Sequence, residues 1–237
     1  MKKKIGFLAL LLTASVALAD PADDIRNAAK KLAEKGNYSW RTTTDSGATA
    51  GNFRPGPTEG KTEKDGITYL SLTRGDNTME AVLKEKKGAI RMQDGWKSIS
   101  ELTAEDGGGQ PSPGRFVARM LESFQPPAVE AEDLLSKTKG LKKTGEAYTG
   151  DLTDEGAKHF LTRFRPRGGN PPESSNAKGS VKFWTKDGLL NKYEYNVQGT
   201  VNFGGQERDL NRTTAVEIKD VGTTKVNIPE EASKKLS

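Results

Sequence analysis

The side chains in this sequence that could perform acid–base, nucleophilic or metal chemistry are few. Its 237 residues include a single histidine, His159, and no cysteine. A Ser-His-Asp triad or a multi-histidine metal site would depend on His159 alone, and thiolate chemistry is excluded. Glu155 precedes His159 by four residues on one face of a predicted helix, a spacing more typical of a surface pair than of metal ligands. We therefore predict that the protein is not an enzyme, with no catalytic residue, metal site or cofactor.

Two other kinds of motif that sometimes mark binding sites have simpler explanations here. The acidic pairs Asp23-Asp24 and Asp154-Glu155 lie at the N-termini of predicted helices, where the helix dipole alone favours negative charge. The glycine runs Gly107–Gly109 and Gly168–Gly169 do not connect a strand to a helix, as the glycines of phosphate-binding loops do. Neither motif predicts a ligand site.

The first 19 residues have the three regions of a secretory signal peptide. Lys2–Lys4 form a positive start, Ile5–Val16 an apolar run, and Ala17–Ala19 a small-x-small cleavage pattern. The run of about a dozen apolar residues is shorter than the roughly 20 that span a bilayer. We predict cleavage after Ala19 and secretion to the periplasm. Loss of Lys2–Lys4 takes the formal net charge from +5 to +2, which predicts no nucleic-acid partner.

Residues 20–237 are predicted to form a single domain that begins with one helix and continues as strands. Asp20 and Pro21 have the N-cap and N1 pattern of a helix that stops at Gly36. Segments rich in β-branched and aromatic residues follow, separated by Asp-Gly and related turns. The predicted strands there are Tyr38–Thr44, Ile67–Thr73, Met79–Lys84 and Ala89–Gln93. The segment Asp45–Gly60, rich in Gly, Pro, Ser and Thr, is predicted to be a loop.

The strongest strand pattern lies near the C-terminus. Asp187-Gly188 is predicted to turn the chain into a long strand, and Gly204-Gly205 to turn it back into a partner strand. Strands of around 15 residues would extend about 50 Å and must curl, because sheet twist accumulates along them. A final strand is predicted over Thr224–Ile228. The apolar residues of one parity in the long strand are Leu189, Tyr193, Tyr195, Val197, Val201 and Phe203.

Three short amphipathic helices form an insert at about residues 113–164. The first carries Phe116, Met120, Leu121 and Phe124, the second covers Val129–Lys137, and Thr153 caps the third. Their apolar stripes need a partner surface, which the concave side of a curled sheet provides. We therefore predict a mainly β (α+β) fold: a strongly curved antiparallel sheet, or open β-barrel, with short helices covering the concave side. Periodicity leaves open whether the helices fill the concavity or enclose a cavity.

Three local segments and the order of the elements resemble a known superfamily. The segments are Tyr148–Thr153 before a helix, the strand–turn–strand Val181–Leu190, and the closing segment Val221–Pro229. Together with the signal peptide, the first helix, the meander and the helical insert, they resemble the LolA/LolB/LppX/LprG group of periplasmic lipoprotein carriers and lipid-binding lipoproteins. LolB, LppX and LprG carry a lipidated cysteine, which this sequence lacks, so in that respect it is similar to the shuttle LolA.

The resemblance implies a secreted carrier or binding protein for a lipid, a lipoprotein acyl chain or another hydrophobic ligand. By pattern alone the apolar residues of the insert and the long strand are core, whereas the resemblance implies that some line a ligand cavity and its lid. Those residues are Phe116, Met120, Leu121, Phe124, Phe160, Phe164, Tyr193 and Tyr195. The alternative is a cell-envelope interaction or sensor module with a filled cavity and no lipid. Trp184, opposite in parity to Val181 and Phe183, is predicted to face outward, where it would contact an envelope partner or, transiently, a membrane.

Overall fold

A computed structural model describes the chain over residues 20–47, 55–75, 77–104, 113–163, 172–203 and 205–236. The predicted signal peptide, residues 1–19, lies outside the described residues. The helices are α1 (Pro21–Lys35), α2 (Ile99–Ala104), α3 (Pro113–Glu122), α4 (Pro127–Ser136), α5 (Asp154–Leu161) and α6 (Glu230–Lys235). The strands are β1 (Tyr38–Asp45), β2 (Pro55–Thr62), β3 (Ile67–Arg74), β4 (Asn77–Lys84), β5 (Lys87–Met92), β6 (Gly95–Ser98), β7 (Thr138–Thr144), β8 (Ala147–Leu152), β9 (Ser174–Lys186), β10 (Leu189–Phe203) and β11 (Gln206–Lys219).

Helix α1 begins and ends where its sequence predicts. The side chain of Asp20 accepts a hydrogen bond from the backbone N–H of Ala22, and Pro21 occupies the first helical position. At the other end Gly36 takes a left-handed conformation with φ 74°, and its N–H donates to the carbonyl of Ala33. These caps fix the ends of a helix that is buried along one face.

The strands form one antiparallel sheet that does not close on itself. Their order is β6-β5-β4-β3-β2-β1-β11-β10-β9-β8-β7, so β6 and β7 are the two edges. The chain leaves edge β6, passes through α2, α3 and α4, and re-enters the sheet at edge β7. The helical insert therefore connects the two edges. The predicted open, curved antiparallel sheet is confirmed.

The longest strands are the three that follow the insert. β9, β10 and β11 contain 13, 15 and 14 residues, and the turn between β9 and β10 uses positive φ angles at Asp187 and Gly188, as a tight hairpin requires. β10 pairs with β9 on one side and β11 on the other, with register shifts against β9 near Asn191 and Gly199. Such irregularities bend a strand and increase its twist, which adds to the curl of the sheet.

Most of the core lies on one face of the sheet, here called the concave face. There, side chains of alternate strand residues pack against the apolar faces of α1 to α5. The largest fully buried side chains on this face include Tyr193, Phe160, Phe183, Ile25 and Leu32. The five helices are thus held by burial of their apolar stripes against the sheet.

Helix α6 packs on the opposite, convex face. Its Ala232 and the following Leu236 contact Val82, Ala89 and Trp96, which form a second, smaller buried cluster on β4, β5 and β6. Trp96 is therefore structural on the outside of the sheet, where α6 covers it.

Two sequence-based predictions were wrong. β2 lies partly within the predicted loop Asp45–Gly60, because its concave positions are Thr58, Gly60 and Thr62 and lack an apolar pattern. The predicted strand Thr224–Ile228 joins no ladder. Side chains hold this segment instead: Asn37 Nδ2 donates to the carbonyl of Thr224 at 3.2 Å, and the N–H of Val226 donates to Glu63 at 2.8 Å.

Strands β6 and β7 and helix α2 were not predicted. β6 has only four residues, too few for a clear pattern. β7 has the polar sequence TKGLKKT, which is common in an edge strand and lacks the apolar alternation by which strands are recognised. In the described part of the chain, no helix has both the length and the apolar composition needed to cross a bilayer.

Candidate functional site on the concave face

The concave face is filled with side chains where α1, α4 and α5 cover it. Phe160 of α5 and Tyr193 and Phe183 of the sheet have no exposed surface, and the rings of Phe160 and Tyr195 lie 5.3 Å apart. Leu134 of α4 is also fully buried. This part of the concavity is core in the present structure.

A cluster of charged and hydroxyl side chains lies within this core. The carboxylate of Glu130 on α4 accepts hydrogen bonds from Arg163, just after α5, and from the hydroxyl of Tyr193 at 2.6 Å. Arg163 also donates to the side-chain oxygen of Gln125 at 3.2 Å. The side chains of Arg163 and Glu130 are only 16% and 15% exposed. This polar cluster joins α4, α5 and β10 through charge-assisted hydrogen bonds.

Arg212 of β11 completes the polar cluster. It faces inward and donates to the backbone carbonyl of Phe160 at 2.7 Å, in the last turn of α5, where a cation interacts favourably with the helix dipole. We define the polar cluster as Glu130, Arg163, Tyr193, Tyr195 and Arg212.

The electrostatic environments of the two arginines differ. Burial alone lowers the pKa of Arg163, but the charge of Glu130 and its hydrogen bond outweigh burial, so the pKa stands above its ordinary value. Burial also lowers the pKa of Arg212. Tyr195 and Glu130 oppose that effect while Arg163 adds to it, and the net pKa is below its ordinary value.

A second feature of the concave face is a set of large apolar side chains that stay half-buried. Leu72 of β3 pairs with Met79 of β4, and Met92 of β5 shares their face. Met120 of α3 and Phe124 just after it lie against the same core. The next residues along the same face of the three strands are Leu70, Ala81 and Ile90, and they are at most 2% exposed. We define the apolar patch as Leu72, Met79, Met92, Met120 and Phe124.

Trp40 packs between Phe124 of the apolar patch and the backbone of the neighbouring strand β2. Its ring stacks on Phe124 with centroids 6.1 Å apart and lies across Gly60 of the neighbouring strand. A Cβ at Gly60 would approach the indole to 2.1 Å, so only glycine leaves space for the tryptophan there. Trp40 thereby positions Phe124 at the edge of the apolar patch.

A continuous cross-strand row connects the polar cluster with the apolar patch. Starting at Tyr193, the paired residues are Val216, Thr42, Thr58, Leu72 and Met79. Thr42 and Thr58 in the middle are half-buried. At the opposite side of the concavity, Phe124 of the apolar patch is adjacent in sequence to Gln125, which contacts Arg163. The two features therefore belong to one surface.

The residues predicted to line a cavity fall into three groups. Phe160, Tyr193, Tyr195 and Leu121 are buried core residues. Met120 and Phe124 belong to the apolar patch. Phe116 and Phe164 cannot be placed, because the side chain of Phe116 and all of Phe164 lie outside the described residues.

Sequence reasoning did not single out Leu72, Met79, Met92, Glu130, Arg163 or Arg212. The inward orientation of Arg212 could have been predicted from the alternation of β11, because Arg212 lies on the same face as Leu210 and Thr214. Met79 and Met92 are ordinary strand residues in sequence, and only the sheet order brings them together with Leu72 on the concave face. Glu130 and Arg163 meet across 33 residues, which no local pattern reveals.

The remaining sequence motifs lie outside this surface. His159 Nε2 is 3.5 Å from a carboxylate oxygen of Asp133, and its ring meets Phe160 edge-on at 5.0 Å. Trp184 lies half-buried on the convex face, with the ammonium of Lys192 5.4 Å from its ring. Among the described residues, no three His, Asp or Glu side chains come together as a metal site.

The solved structures to which this chain is similar include two that differ widely from it in sequence. LprF from Mycobacterium bovis is 9% identical over 90% of this chain and 97% of its own, with a TM-score of 0.45. A LolA superfamily protein from Nitrosomonas europaea is 9% identical over 93% of this chain and 98% of its own, with a TM-score of 0.34. A scan of protein-family models and a search of curated proteins found no match. Both likenesses are distant, and neither carries information about a ligand.

Proposed function

We propose that this protein binds and carries a hydrophobic ligand, such as a lipid or a lipoprotein acyl chain, at the apolar patch on the concave face of its sheet. The observation that supports this most is the apolar patch. Its five large side chains stay partly accessible, although Leu70, Ala81 and Ile90, the next concave residues of the three strands, are buried. Partly exposed apolar surface inside a concavity is typical of a ligand site.

The composition of the apolar patch suits a ligand of variable shape. Three of its five members are methionines, whose unbranched thioether side chains adapt to irregular partners. An acyl chain bound there would be held mainly by burial, at about 25 cal/mol per Å² of apolar surface. Helix α3 contributes Met120 and packs on α2, so a shift of this helix pair would admit and release the ligand.

Binding of a fluorescent fatty acid to the mature chain tests this proposal. Replacing Met79 and Met92 together by Gln should weaken binding at least about tenfold, because buried polar amides replace apolar contacts. The matched control is Val129→Gln on α4, since Val129 is 45% exposed and lies outside the apolar patch. If the double variant folds and binds as tightly as the control, the ligand does not bind at the apolar patch.

Transport, as distinct from binding, rests on the predicted signal peptide. A carrier that is cleaved after Ala19 and has no lipidated cysteine would move through the periplasm and exchange its ligand at a membrane or with an envelope protein. We infer a periplasmic shuttle from this combination of leader and concave face.

The filled half of the concavity favours one alternative. Because α1, α4 and α5 leave no exposed surface on Phe160 or Tyr193, the same fold could serve as an envelope interaction module without a lipid. Recovery of a protein partner by crosslinking in the periplasm, with no lipid extracted from the purified chain, would support this alternative.

A further inference from the structure

One end of the sheet is rich in lysine. Because neighbouring strands are antiparallel, the start of β1 lies at the same end as the turns β2–β3, β4–β5, β7–β8 and β9–β10 and the end of β11. Helix α1 also ends there, since a Cβ at Gly36 would lie 3.1 Å from Cα of Lys64. The segment after β11 stays at this end, because Asn37 binds the carbonyl of Thr224. We define the lysine rim as the six segments at this end, residues 31–35, 61–66, 84–87, 142–146, 186–188 and 219–225.

The lysine rim carries a net positive charge that the rest of the chain lacks. Its twelve lysines and seven carboxylates give it a net charge of +5. Because residues 20–237 together carry +2, all the other residues of that range have a net charge of −3. All twelve lysines are exposed. Within the part of the chain that the structure describes, Lys219 is the one member with an ion pair, to Glu217 at 3.9 Å.

The other end of the sheet differs in both charge and apolar content. The described residues there include several carboxylates, among them Asp45, Asp94, Glu173 and Glu207. The apolar patch also lies towards that end, since Met92 is the last residue of β5 whereas the lysine rim includes its first. An anionic surface would therefore attract one end of the molecule and repel the other, which orients the protein.

Three properties of the lysine rim favour a broad anionic surface over a folded protein as its partner. Its cations are all lysines, which act as hydrated point charges, whereas arginine forks recognise individual acidic groups. They are spread over six segments along the end of a curved sheet. Protein interfaces centre on apolar anchors, and the one exposed large apolar side chain among the described residues, Val129, lies on α4 outside the lysine rim. Clusters of about four to eight lysines are typical of proteins that bind anionic lipids.

We propose that the lysine rim binds the anionic lipid headgroups of a membrane surface. The ammonium groups are attracted by the negative charge of the headgroups, and no side chain has to enter the hydrocarbon. The apolar patch, towards the other end of the strands, stays away from that surface. This inference does not depend on the proposed ligand, because it concerns a different part of the molecule.

Flotation of the mature chain with phospholipid vesicles tests this inference. The protein should float with phosphatidylcholine vesicles that contain about one third phosphatidylglycerol, and it should not float with phosphatidylcholine alone. Raising the salt concentration from about 0.05 M to about 0.5 M should release it, because salt screens the attraction between exposed charges.

Charge variants assign the binding to the lysine rim. Lys64→Gln/Lys86→Gln/Lys186→Gln should weaken binding to the anionic vesicles at least about tenfold, because each lysine near the surface adds to the attraction. Replacing the same three residues by Arg should preserve binding, since the charge remains. Thermal melting identifies any variant that fails to fold.

The matched control removes the same amount of charge elsewhere. Lys139→Gln/Lys158→Gln/Lys178→Gln replaces three exposed lysines outside the lysine rim. This variant should bind the anionic vesicles as wild type does. An equal loss of binding in both triple variants would mean that net charge alone governs binding, and it would contradict the inference.

A fluorophore on a single cysteine reports which end of the sheet meets the membrane, because the natural chain has no cysteine. Asp65→Cys places the label in the β2–β3 turn, and Asn77→Cys places it at the opposite end, where β4 begins. Emission of an environment-sensitive dye should change on addition of anionic vesicles at position 65 and stay constant at position 77. The reverse pattern would contradict the proposed orientation.

The outcomes separate this inference from the proposed function. A wild-type protein that does not float with the anionic vesicles overturns the membrane contact, even if an acidic protein is captured through the same lysines. Fatty-acid binding should be unchanged in Lys64→Gln/Lys86→Gln/Lys186→Gln, because these residues lie away from the apolar patch. Loss of fatty-acid binding in the Met79 and Met92 variant, in turn, should leave flotation unchanged.

Discussion

At the scale of single residues, the concave face combines two different environments, the polar cluster and the apolar patch. Arg163 and Glu130 form a nearly buried ion pair, and such a pair stabilises only when further hydrogen bonds satisfy both partners. Gln125 and Tyr193 supply those bonds. Beside them the apolar patch keeps Met120 and its neighbours partly exposed. The side chains of the polar cluster are thus fixed by hydrogen bonds, whereas those of the apolar patch remain partly exposed and can adapt their conformations.

Gly60 is the residue on which the shape of this surface depends most directly. Gly60→Ala should lower the free energy of unfolding by about 1–3 kcal/mol, because the new methyl group would overlap the Trp40 indole and force the ring away from Phe124. Urea denaturation followed by tryptophan fluorescence measures this.

Gly114→Ala is the control for that substitution. In α3 the new methyl group would meet only a flexible side-chain atom of Leu102 at 3.3 Å, and alanine favours a helix. We expect unchanged or slightly higher stability. A Gly60→Ala protein as stable as Gly114→Ala would show that Trp40 does not lie across Gly60.

At the scale of elements, side-chain contacts connect α2 with α6, the helix on the convex face. Ser98 and Glu101 form a reciprocal capping box: Ser98 N–H donates to Glu101 at 2.6 Å, and Glu101 N–H donates to Ser98 Oγ at 3.1 Å. Lys235 of α6 donates to the other oxygen of Glu101 at 2.6 Å. The carboxylate of Glu101 therefore links α2 to the C-terminal helix α6.

The same carboxylate predicts a pH dependence. The Lys235 ammonium, followed by the bonds from Ser98, lowers the pKa of Glu101 to about 2. A lowered pKa in the folded state contributes stability above the unfolded value, near 4.5, and that contribution disappears as the pH falls towards 2. Glu101→Gln should therefore be less stable than wild type at neutral pH, with the difference vanishing in acid.

Thermal melting of matched variants across this pH range checks the prediction. Lys235→Met should remove most of the same pH-dependent difference, because it removes the first cause of the shift. Glu230→Gln, which breaks an exposed pair with Lys234, should behave as wild type. A stability gap for Glu101→Gln that is constant with pH would contradict the assigned role of the carboxylate.

The elements differ in how far the sequence predicts them. α1 and the β9–β10 hairpin carry local signals, an Asp-Pro cap and an Asp-Gly turn, and both form as predicted. β2 carries none, because its concave positions hold Thr and Gly and it is stabilised by neighbours on both sides. Met79, Glu130 and Arg212 become one surface only through the sheet order, so their role depends on long-range pairing that no local pattern encodes.

At the scale of the whole molecule, an unclosed sheet with an insert between its edges forms a concavity that the protein's own helices fill in part. α1, α4 and α5 fill one part, while the apolar patch stays partly accessible in another. The edge strand β6 is short and the edge strand β7 is rich in lysine. Both properties protect an open sheet from pairing with other chains.

The central claim is that the concave face holds a hydrophobic ligand, and native mass spectrometry of the chain purified from the periplasm without detergent tests it most directly. We predict a species heavier than the mature polypeptide by the mass of a lipid or another hydrophobic ligand, which organic extraction removes and the Met79→Gln/Met92→Gln variant loses. A protein that shows only its polypeptide mass, and takes up no fatty acid afterwards, would contradict the claim.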